Sequence, residues 1–485
     1  MSQAQQTFRN SWWIGAVVTA MVITLILPGI RAWFYIINEW EIVEATPYEV
    51  IAPAAQRIEA DLVNFGRFRP LYWLIWHTQR SLIQDDVLVW HLVTAGMGVA
   101  TCLLLFGALR PIVKAPLAGL GVLLLLFYPR GGAIWYNLVY QETSGTLLVA
   151  LAGYAAVQGA VSGRRRWDIV FAMSAILAGF IKENYALLLP ALIGARLTLQ
   201  MVYNRPVKSV MPALFAVGMF FVVLIGVIGT IYLRSPQGYG QVIVSERPIY
   251  LDSLARVLLP AGVLVPAIVA GAVWARRKPL LTLFALGTLA LWVVPQVGLY
   301  NERIQERFLY PAIVGSAAGA VIGLYMLRGV RWRGAAWAVW AASCLPFMPN
   351  LPGQWTDAAR FADSTYHLQS TVETLTGLDV DNIVIQIDPK DNYDQYEAAY
   401  SVTLFLRHAG YDGRLELYHP PNVPMEMLVG YVDDGFYNAV NGGQPAAPTA
   451  YVILNPETRW EIALICQVDP CPEPPLLLSD TSERG

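Results

Sequence analysis

The segment AGFIKENYALLLP, residues 178–190, places Lys182 and Glu183 side by side within the largely apolar stretch 168–199. A charge in the middle of a membrane-spanning helix costs about 2.5–3.5 kcal/mol on the insertion scale. One helix over 168–199 would also put the basic sequences GRRRW (163–167) and NRPVK (204–208) on opposite sides of a membrane. We therefore predict two short spans, 168–181 and 185–199, with Lys182 and Glu183 at the turn. The alternative is an ion pair buried in a helix bundle.

The composition extends this interpretation to the whole chain. Its 485 residues are 56% hydrophobic and only 14% charged, with a mean hydropathy of +0.46. Apolar runs repeatedly reach the roughly 20 residues that cross a bilayer, which predicts a polytopic α-helical membrane protein. The net charge of −2 predicts no nucleic-acid partner. Hydropathy and turn signals place about eleven transmembrane helices at 12–34, 87–109, 112–128, 143–161, 168–181, 185–199, 210–233, 254–275, 279–298, 309–327 and 334–349.

Short basic loops predict the orientation of these spans. They are RPIVK (110–114), GRRRW (163–167), NRPVK (204–208), ARRK (275–278) and RGVRWRG (328–334). Because cytoplasmic loops carry an excess of Lys and Arg, we expect all five on the cytoplasmic side of the plasma (inner) membrane. The N-terminus is then cytoplasmic, and the region after about residue 350 is extracytoplasmic. The turn at Lys182 faces outward.

The first external loop, 35–86, begins with three carboxylates, Glu39, Glu41 and Glu44, directly after the first span. Its later residues include Tyr72, Trp73 and Trp76, which are typical of an aromatic anchor at the membrane surface. We expect the loop to lie on that surface. For each carboxylate taken singly, the alternative is a solvated loop charge.

The other external segments also combine charges with aromatic residues. YPRGGAIWYNLVYQE (128–142) contains Arg130 and Glu142, and the loop 234–253 contains Glu246 and Arg247. The segment LYNERIQERFLYP (299–311) has the highest density of charge. In a helix its Arg303 and Arg307 would share one face at i and i+4, which favours a clamp for phosphate because each guanidinium can bind two oxygens. The alternative is neutralisation of the arginines by Glu302 and Glu306.

Residues 350–485 differ in character from the membrane part, 1–349. They contain strand-like segments at 382–388, 414–418 and 450–455 and a helical segment at 396–411, which predicts a small extracytoplasmic α/β domain with one crossover unit. The sequence contains no phosphate loop and no HExxH or GxSxG motif, so nothing marks this domain as catalytic. Cys466 and Cys471 could form a disulfide in an oxidising compartment, whereas Cys102 and Cys344 lie in apolar segments.

Four segments, in this order, resemble motifs of the GT-C class of membrane glycosyltransferases. INEWEIV (37–43) is similar to the acidic pair after the first span of that class, and the segment from GRFRPLYW (66–73) to residue 106 resembles its arginine–proline–leucine segment and second span. FIKENYALLLPALI (180–193) looks like its lysine–glutamate segment. QERFLYPAIVGSA (305–317) resembles the start of one of its late spans. The closest pattern is that of bacterial members and of O-mannosyltransferases with tetratricopeptide repeats.

The resemblance implies transfer of a sugar from a polyprenyl-phosphate donor to a glycan or protein acceptor at the outer membrane face. An acidic residue of the first loop, Glu39 or Glu41, would act as general base, and basic residues would hold the lipid phosphate. The chain departs from the class at the acidic pair, where Asn38 replaces one carboxylate. Whether a divalent metal takes part is left open. The residues implied to bind substrate are Arg67, Arg69, Glu142, Lys182, Glu183, Arg303, Glu306, Arg307 and Tyr310.

Two further functions compete with the enzyme. The substitution at Asn38 would suit a non-catalytic scaffold that binds a lipid or a protein partner and displays the C-terminal domain. A transporter would show charged residues along a path through the membrane or paired broken helices. The predicted spans contain almost no charges, which argues against a transporter.

Overall fold

The computed structural model describes most of the chain. The described residues are 12–35, 39–44, 48–126, 128, 131–234, 250–269, 279–299, 306–328, 331–378, 380–386, 393–418, 437–439, 449–454 and 462–466. They form two compact units. The first comprises Met1–Ile30, Glu49–Ser81 and His91–Ala358, and the second comprises Arg31–Tyr48, Leu82–Trp90 and Ala359–Gly485.

The helices follow one another with short connections over most of the chain. In order they are α1 (Trp12–Ile26), α2 (Trp40–Glu44), α3 (Ile51–Ala60), α4 (Pro70–Ile83), α5 (Val87–Val113), α6 (Ala115–Leu126), α7 (Gln141–Ser162), α8 (Arg165–Gly179), α9 (Glu183–Ala186), α10 (Leu189–Val202), α11 (Met211–Arg234), α12 (Tyr250–Leu258), α13 (Leu264–Val269), α14 (Pro279–Leu299), α15 (Tyr310–Leu327), α16 (Arg333–Cys344), α17 (Asn350–Thr376) and α18 (Tyr393–His408). A 3₁₀ turn, Glu306–Leu309, precedes α15.

Six helical segments within the described residues are long and apolar enough to cross a membrane. They are Val87–Val113, Gln141–Ser162, Glu183–Val202, Met211–Ile231, Pro279–Gly298 and Arg307–Leu327, and Trp13–Ile26 and Ala115–Leu126 are shorter apolar helices. The chain is thus a multi-pass membrane protein, but the count of about eleven spans is not confirmed. The predicted span 254–275 is interrupted, because α12 and α13 are separated by a turn in which Gly262 has φ +57°. The predicted loop at 110–114 is mostly helical, since α5 continues to Val113.

The break predicted within AGFIKENYALLLP is present between α8 and α9. Helix α8 ends at Gly179, Lys182 is extended at φ −167° and ψ 153°, and α9 begins at Glu183. The chain therefore does not form one helix over 168–199. The second predicted span, 185–199, is longer than expected, because its apolar segment continues to Val202. The helix of the first predicted span, α8, has 15 residues.

Close approach of glycines holds α14 and α15 together in the first unit. A Cβ on Gly315 would lie 2.6 Å from Cβ of Trp292, and one on Gly319 would lie 2.6 Å from Leu289 Cδ2. Small residues of this kind let two helix backbones approach within a membrane, where association depends on packing and not on exclusion of water. Helix α15 is buried along nearly its whole length.

The second unit contains a five-stranded sheet. Its strands are β1 (Asn382–Gln386), β2 (Arg414–Tyr418), β3 (Tyr437–Ala439), β4 (Thr449–Leu454) and β5 (Ile462–Cys466), in the order β3-β2-β1-β4-β5. Only the β4–β5 pair is antiparallel among the described strands. Helix α18 connects the parallel strands β1 and β2. Its Phe405 packs against Trp33 and Phe34, at ring-centroid distances of 5.0 and 5.8 Å.

Candidate functional site

The break between α8 and α9 is stabilised by local backbone hydrogen bonds. The amides of Phe180 and Ile181 donate to carbonyls of the last turn of α8, at 3.1 and 3.0 Å, and the Tyr185 amide donates to the Lys182 carbonyl at 3.0 Å. Glu183, Asn184 and Tyr185 are buried. The turn thus carries four polar or charged side chains in succession into the first unit.

Lys182 is paired with Glu142, the second residue of α7. Its Nζ donates to Glu142 Oε1 at 2.6 Å, and the two side chains are only 12% and 2% exposed. Lys182 Nζ also lies 4.0 Å from the centroid of the Phe308 ring. An ammonium over an aromatic face is attracted by the negative face of the ring. Lys182 therefore contacts both an anion and a π system.

Arg307 adds a second cation to this place. Its guanidinium carbon lies 4.1 Å from the centroid of the Tyr140 ring and 5.0 Å from that of Phe308. It interacts electrostatically with both Glu142 and Lys182. Three elements thus contribute to one charged cluster. They are the first turn of α7, the α8–α9 break and the 3₁₀ turn before α15.

Glu183 connects this cluster to the N-terminus of α4. Its Oε1 accepts a hydrogen bond from the Phe68 amide at 2.5 Å, and the Leu71 amide donates to the Phe180 carbonyl at 3.1 Å. These two bonds fix the segment GRFRP against the α8–α9 break. Arg67, in the same segment, is half-buried.

Arg69 is held by a carboxylate that the sequence analysis did not single out. Its Nε and Nη2 donate to the two oxygens of Asp61 at 2.8 and 2.5 Å, and Trp73 Nε1 donates to Asp61 Oδ2 at 2.6 Å. Burial alone would lower the pKa of the Arg69 guanidinium, but the hydrogen bonds and the charge of Asp61 leave the pKa above its ordinary value. The Arg69–Asp61 pair is therefore a buried bidentate ion pair.

Four polar residues near the break, Thr146, Asn184, Tyr185 and Gln296, were also missed. The Tyr185 hydroxyl donates to the Glu142 carbonyl at 3.1 Å and lies 2.9 Å from the Thr146 hydroxyl. Gln296 Nε2 of α14 donates to the Asn184 carbonyl at 2.6 Å, and Asn184 Nδ2 donates to the Phe308 carbonyl at 3.4 Å. For Gln296, the sequence signal was its position next to Pro295 within an otherwise apolar helix, where a polar side chain needs a partner.

The two candidate bases lie in the second unit. Glu39 is fully buried, and its Oε2 accepts a hydrogen bond from the Tyr35 amide at 2.7 Å. Glu41 is half-buried on α2, and Glu44 ends that helix. Lys182, Glu142 and Arg307 belong to the first unit.

Glu306 and Arg307 lie in the 3₁₀ turn Glu306–Leu309. The expected α-helical pairing of Arg303 with Arg307 lies outside the described residues. Tyr310 is buried, and its ring meets that of Trp135 edge-on at 5.9 Å. No group of three metal-ligating side chains occurs among the residues that the structure describes. Residues outside the described ranges are Asn38, Arg130, Glu246, Arg247, Glu302, Arg303 and Cys471.

A third buried ion pair lies at the other end of α7 and α8. Arg196 of α10 donates to Asp168 Oδ1 from Nε and Nη2, at 3.1 and 2.6 Å, and from Nη1 to Gln200 Oε1 at 2.7 Å. The expectation of almost no charge within the spans is wrong here, because Arg196 is 1% exposed inside an apolar helix. A cavity of about 450 Å³ lies at this same end of the helices, between the ends of α5 and α10 and the start of α14.

Comparison with solved structures identifies the fold. ArnT from Cupriavidus metallidurans bound to undecaprenyl phosphate is 13% identical, with a TM-score of 0.51 over 92% of this chain and 94% of that chain. The apo state of the same protein is 14% identical to this chain, with a TM-score of 0.49 over 93% of this chain and 94% of that chain. A third structure is that of the archaeal oligosaccharyltransferase AglB from Archaeoglobus fulgidus, in complex with an inhibitory peptide and a dolichol-phosphate. It is 10% identical to this chain, with a TM-score of 0.47 over 83% of this chain and 64% of that chain.

Comparison with protein-family models and with curated protein sequences gave no match. The fold assignment therefore rests on the likeness to ArnT, which extends over nearly the whole length of both chains. At this low identity the likeness concerns the course of the backbone and not the roles of individual residues. The chain has the GT-C-like fold that its motifs predicted.

Proposed function

We propose that the chain is a plasma-membrane glycosyltransferase that moves a sugar from a polyprenyl-phosphate donor to a glycan or protein acceptor at the outer face. The observation that carries this proposal is the meeting of Lys182 and Arg307 at a helix break within a GT-C-like fold. The solved structure of ArnT contains undecaprenyl phosphate, and that of AglB contains a dolichol-phosphate. Both ligands are polyprenyl phosphates, the donor class expected from the motifs.

The chemistry of the cluster suits a phosphate leaving group. When the bond between sugar and phosphate breaks, negative charge develops on the phosphate oxygens, and preorganised cations stabilise that charge most where water is excluded. Lys182 and Arg307 are two such cations, and both are held by aromatic rings as well as by charge. Arg307 can bind two phosphate oxygens at once, whereas Lys182 acts as a point charge.

The acceptor hydroxyl needs a base, and Glu39 is assigned this role by the motif comparison. General-base catalysis by a positioned carboxylate contributes about 10²–10⁴-fold. Arg67, Arg303 and Glu306 remain proposed substrate contacts. Arg69 is bound to Asp61, and Glu183 accepts a hydrogen bond from the Phe68 amide. In our proposal Arg69 and Glu183 therefore support the site and do not contact the donor.

Transfer assays on the purified protein in lipid nanodiscs test the proposal. A labelled polyprenyl-phosphate sugar is supplied with candidate glycan and peptide acceptors, and both transfer and hydrolysis are measured. We expect Lys182→Gln and Arg307→Gln to lower kcat/KM by about 10²-fold or more, because each removes a charge that stabilises the leaving group. Glu39→Gln should abolish transfer without reducing the amount of protein in the membrane.

Matched variants control for general effects of charge removal. Lys208→Gln removes an exposed cation at the other end of the bundle, and Glu49→Gln removes an exposed carboxylate, so both should leave activity unchanged. Full activity of Glu39→Gln would remove Glu39 from the mechanism. Full activity of Lys182→Gln and Arg307→Gln would contradict the assignment of the phosphate site.

The complete burial of Glu39 and its hydrogen bond to the Tyr35 amide favour a second candidate function, a non-catalytic scaffold. In that case Glu39 would organise the chain after α1 and would not act as a base. Turnover of any polyprenyl-phosphate sugar by the wild-type protein excludes the scaffold. Binding of the lipid with no turnover across a panel of sugars and acceptors supports it.

A further inference from the structure

Two cations and two anions of the described part of the chain interact at the α8–α9 break. Lys182 and Arg307 supply two positive charges, and Glu142 and Glu183 supply two negative charges that interact with them. Lys182 forms a short ion pair with Glu142, at 2.6 Å. A lipid phosphate would add one or two negative charges to this group. In a buried environment excess negative charge is costly, so the phosphate and the carboxylate already present compete for the same cation.

We propose that Glu142 is a built-in counter-anion, which neutralises Lys182 when no lipid phosphate is bound and is displaced from Lys182 by the phosphate. This proposal rests on the proposed function, because it assumes that a polyprenyl phosphate binds at Lys182. It assigns Glu142 a role opposite to that of an ordinary binding residue. Its carboxylate competes with the ligand for the same ammonium group.

The backbone of Glu142 is held by a hydrogen bond that does not involve its carboxylate. Its backbone carbonyl accepts a hydrogen bond from the Tyr185 hydroxyl, which also lies within hydrogen-bond distance of Thr146. The start of α7 is therefore fixed to α9 through the main chain. Loss of the side-chain bond from Glu142 to Lys182 would leave these main-chain and hydroxyl bonds intact, because they do not involve the carboxylate.

Glu183 is less suited to the same role. Its Oε1 accepts the Phe68 amide at 2.5 Å, and that bond ties the α4 segment to the break. If Glu183 moved, a partly buried backbone amide would lose its acceptor, at a cost of about 1–3 kcal/mol. The displaceable anion is therefore Glu142, and Glu183 stays in place.

The sign of one mutational effect tests the exchange. Binding of undecaprenyl phosphate to the full-length protein in nanodiscs is measured by native mass spectrometry or by intrinsic tryptophan fluorescence. We expect Glu142→Gln to bind the lipid about tenfold more tightly than wild type, because the phosphate no longer competes with a carboxylate for Lys182. Glu142→Asp, whose shorter side chain weakens the pair, should have an intermediate affinity and keeps the test valid if Glu142→Gln does not fold.

Asp168→Asn is the matched control. It removes a carboxylate from a buried pair of the same length, 2.6 Å, at the other end of α8, so it should lower thermal stability without tightening lipid binding. Equal or weaker binding by both Glu142 variants, with normal binding by wild type, overturns the exchange and leaves the proposed function intact. Binding of the lipid by none of the proteins overturns both.

Discussion

At the scale of single residues, Lys182 shows what the sequence could and could not predict. Its position at a turn followed from the cost of a charge inside a membrane helix and from the basic loops on either side. The alternative to the turn was a buried ion pair, and the structure has both, but the partner of Lys182 is Glu142, 40 positions away in the sequence. Local spacing contains no information on such a pair, because it depends on how α7 and α8 pack side by side.

Tyr185 and Gly145 give a second example at this scale. A Cβ added to Gly145 would overlap with the Tyr185 ring, so the absence of a side chain on α7 makes room for the tyrosine that supports Glu142. Sequence alone offers no reason to distinguish Gly145 from the other glycines of the apolar segments. The distinction comes only from packing between helices.

We predict that Gly145→Ala destabilises the protein by about 1–3 kcal/mol, because the added methyl group must displace the Tyr185 ring from a packed interior. Gly153→Ala is the control on the same helix, since nothing lies within 4 Å of its added Cβ. That variant should be neutral or more stable by up to about 1 kcal/mol through helix propensity. Thermal unfolding in detergent measures both. Equal melting temperatures for the two variants would contradict the packing argument.

At the scale of elements, strongly apolar helices with clear charged ends were predicted well. Those at 143–161, 210–233, 279–298 and 309–327 correspond to α7, α11, α14 and α15 within a few residues. The error at 110–114 has a physical cause, since α5 continues through Arg110 and Pro111 and ends only at Val113. The interruption of 254–275 was missed because LLPAGVL is apolar throughout, and hydropathy does not report a turn of that composition.

The contact between α4 and the α8–α9 break leads to a prediction on this scale. Glu183→Leu removes the acceptor of the Phe68 amide, so the segment before α4 should open more often, by about tenfold in equilibrium constant. Brief trypsin treatment followed by mass spectrometry should then show faster cleavage after Arg67. Glu183→Gln keeps an acceptor oxygen and should resemble wild type, as should Glu49→Leu at an exposed site. Similar cleavage rates for the Leu and Gln variants would argue against the anchoring bond.

On the scale of the whole molecule, the first unit separates its charged residues between two ends of the helices. The ends of α7 and α8 that carry Glu142 and Lys182 are opposite to those with Asp168 and the sequence GRRRW. This separation agrees with the loop-charge argument that placed the basic segments together on one side. The direction of the bundle in the membrane follows from that argument and remains a prediction.

Cysteine labelling tests the orientation. In a variant lacking its four cysteines, we introduce either Gln56→Cys on α3 or Arg166→Cys near the start of α8, both at exposed positions. A membrane-impermeant maleimide should label Gln56→Cys in intact cells and Arg166→Cys only after the membrane is opened, because basic loops stay on the cytoplasmic side. The reverse pattern would show that the bundle is inverted and would place the charged cluster on the cytoplasmic face.

The Arg196–Asp168 pair has a consequence for how the protein enters the membrane during synthesis. An arginine within a membrane helix disfavours release of that helix into lipid, by an amount that is largest near the helix centre. Its partner lies on α8, which emerges from the ribosome earlier than α10. We therefore expect the insertion machinery to retain α8 until α10 arrives, so that the two helices enter the lipid with their charges paired. The break at Lys182 lies between these two helices.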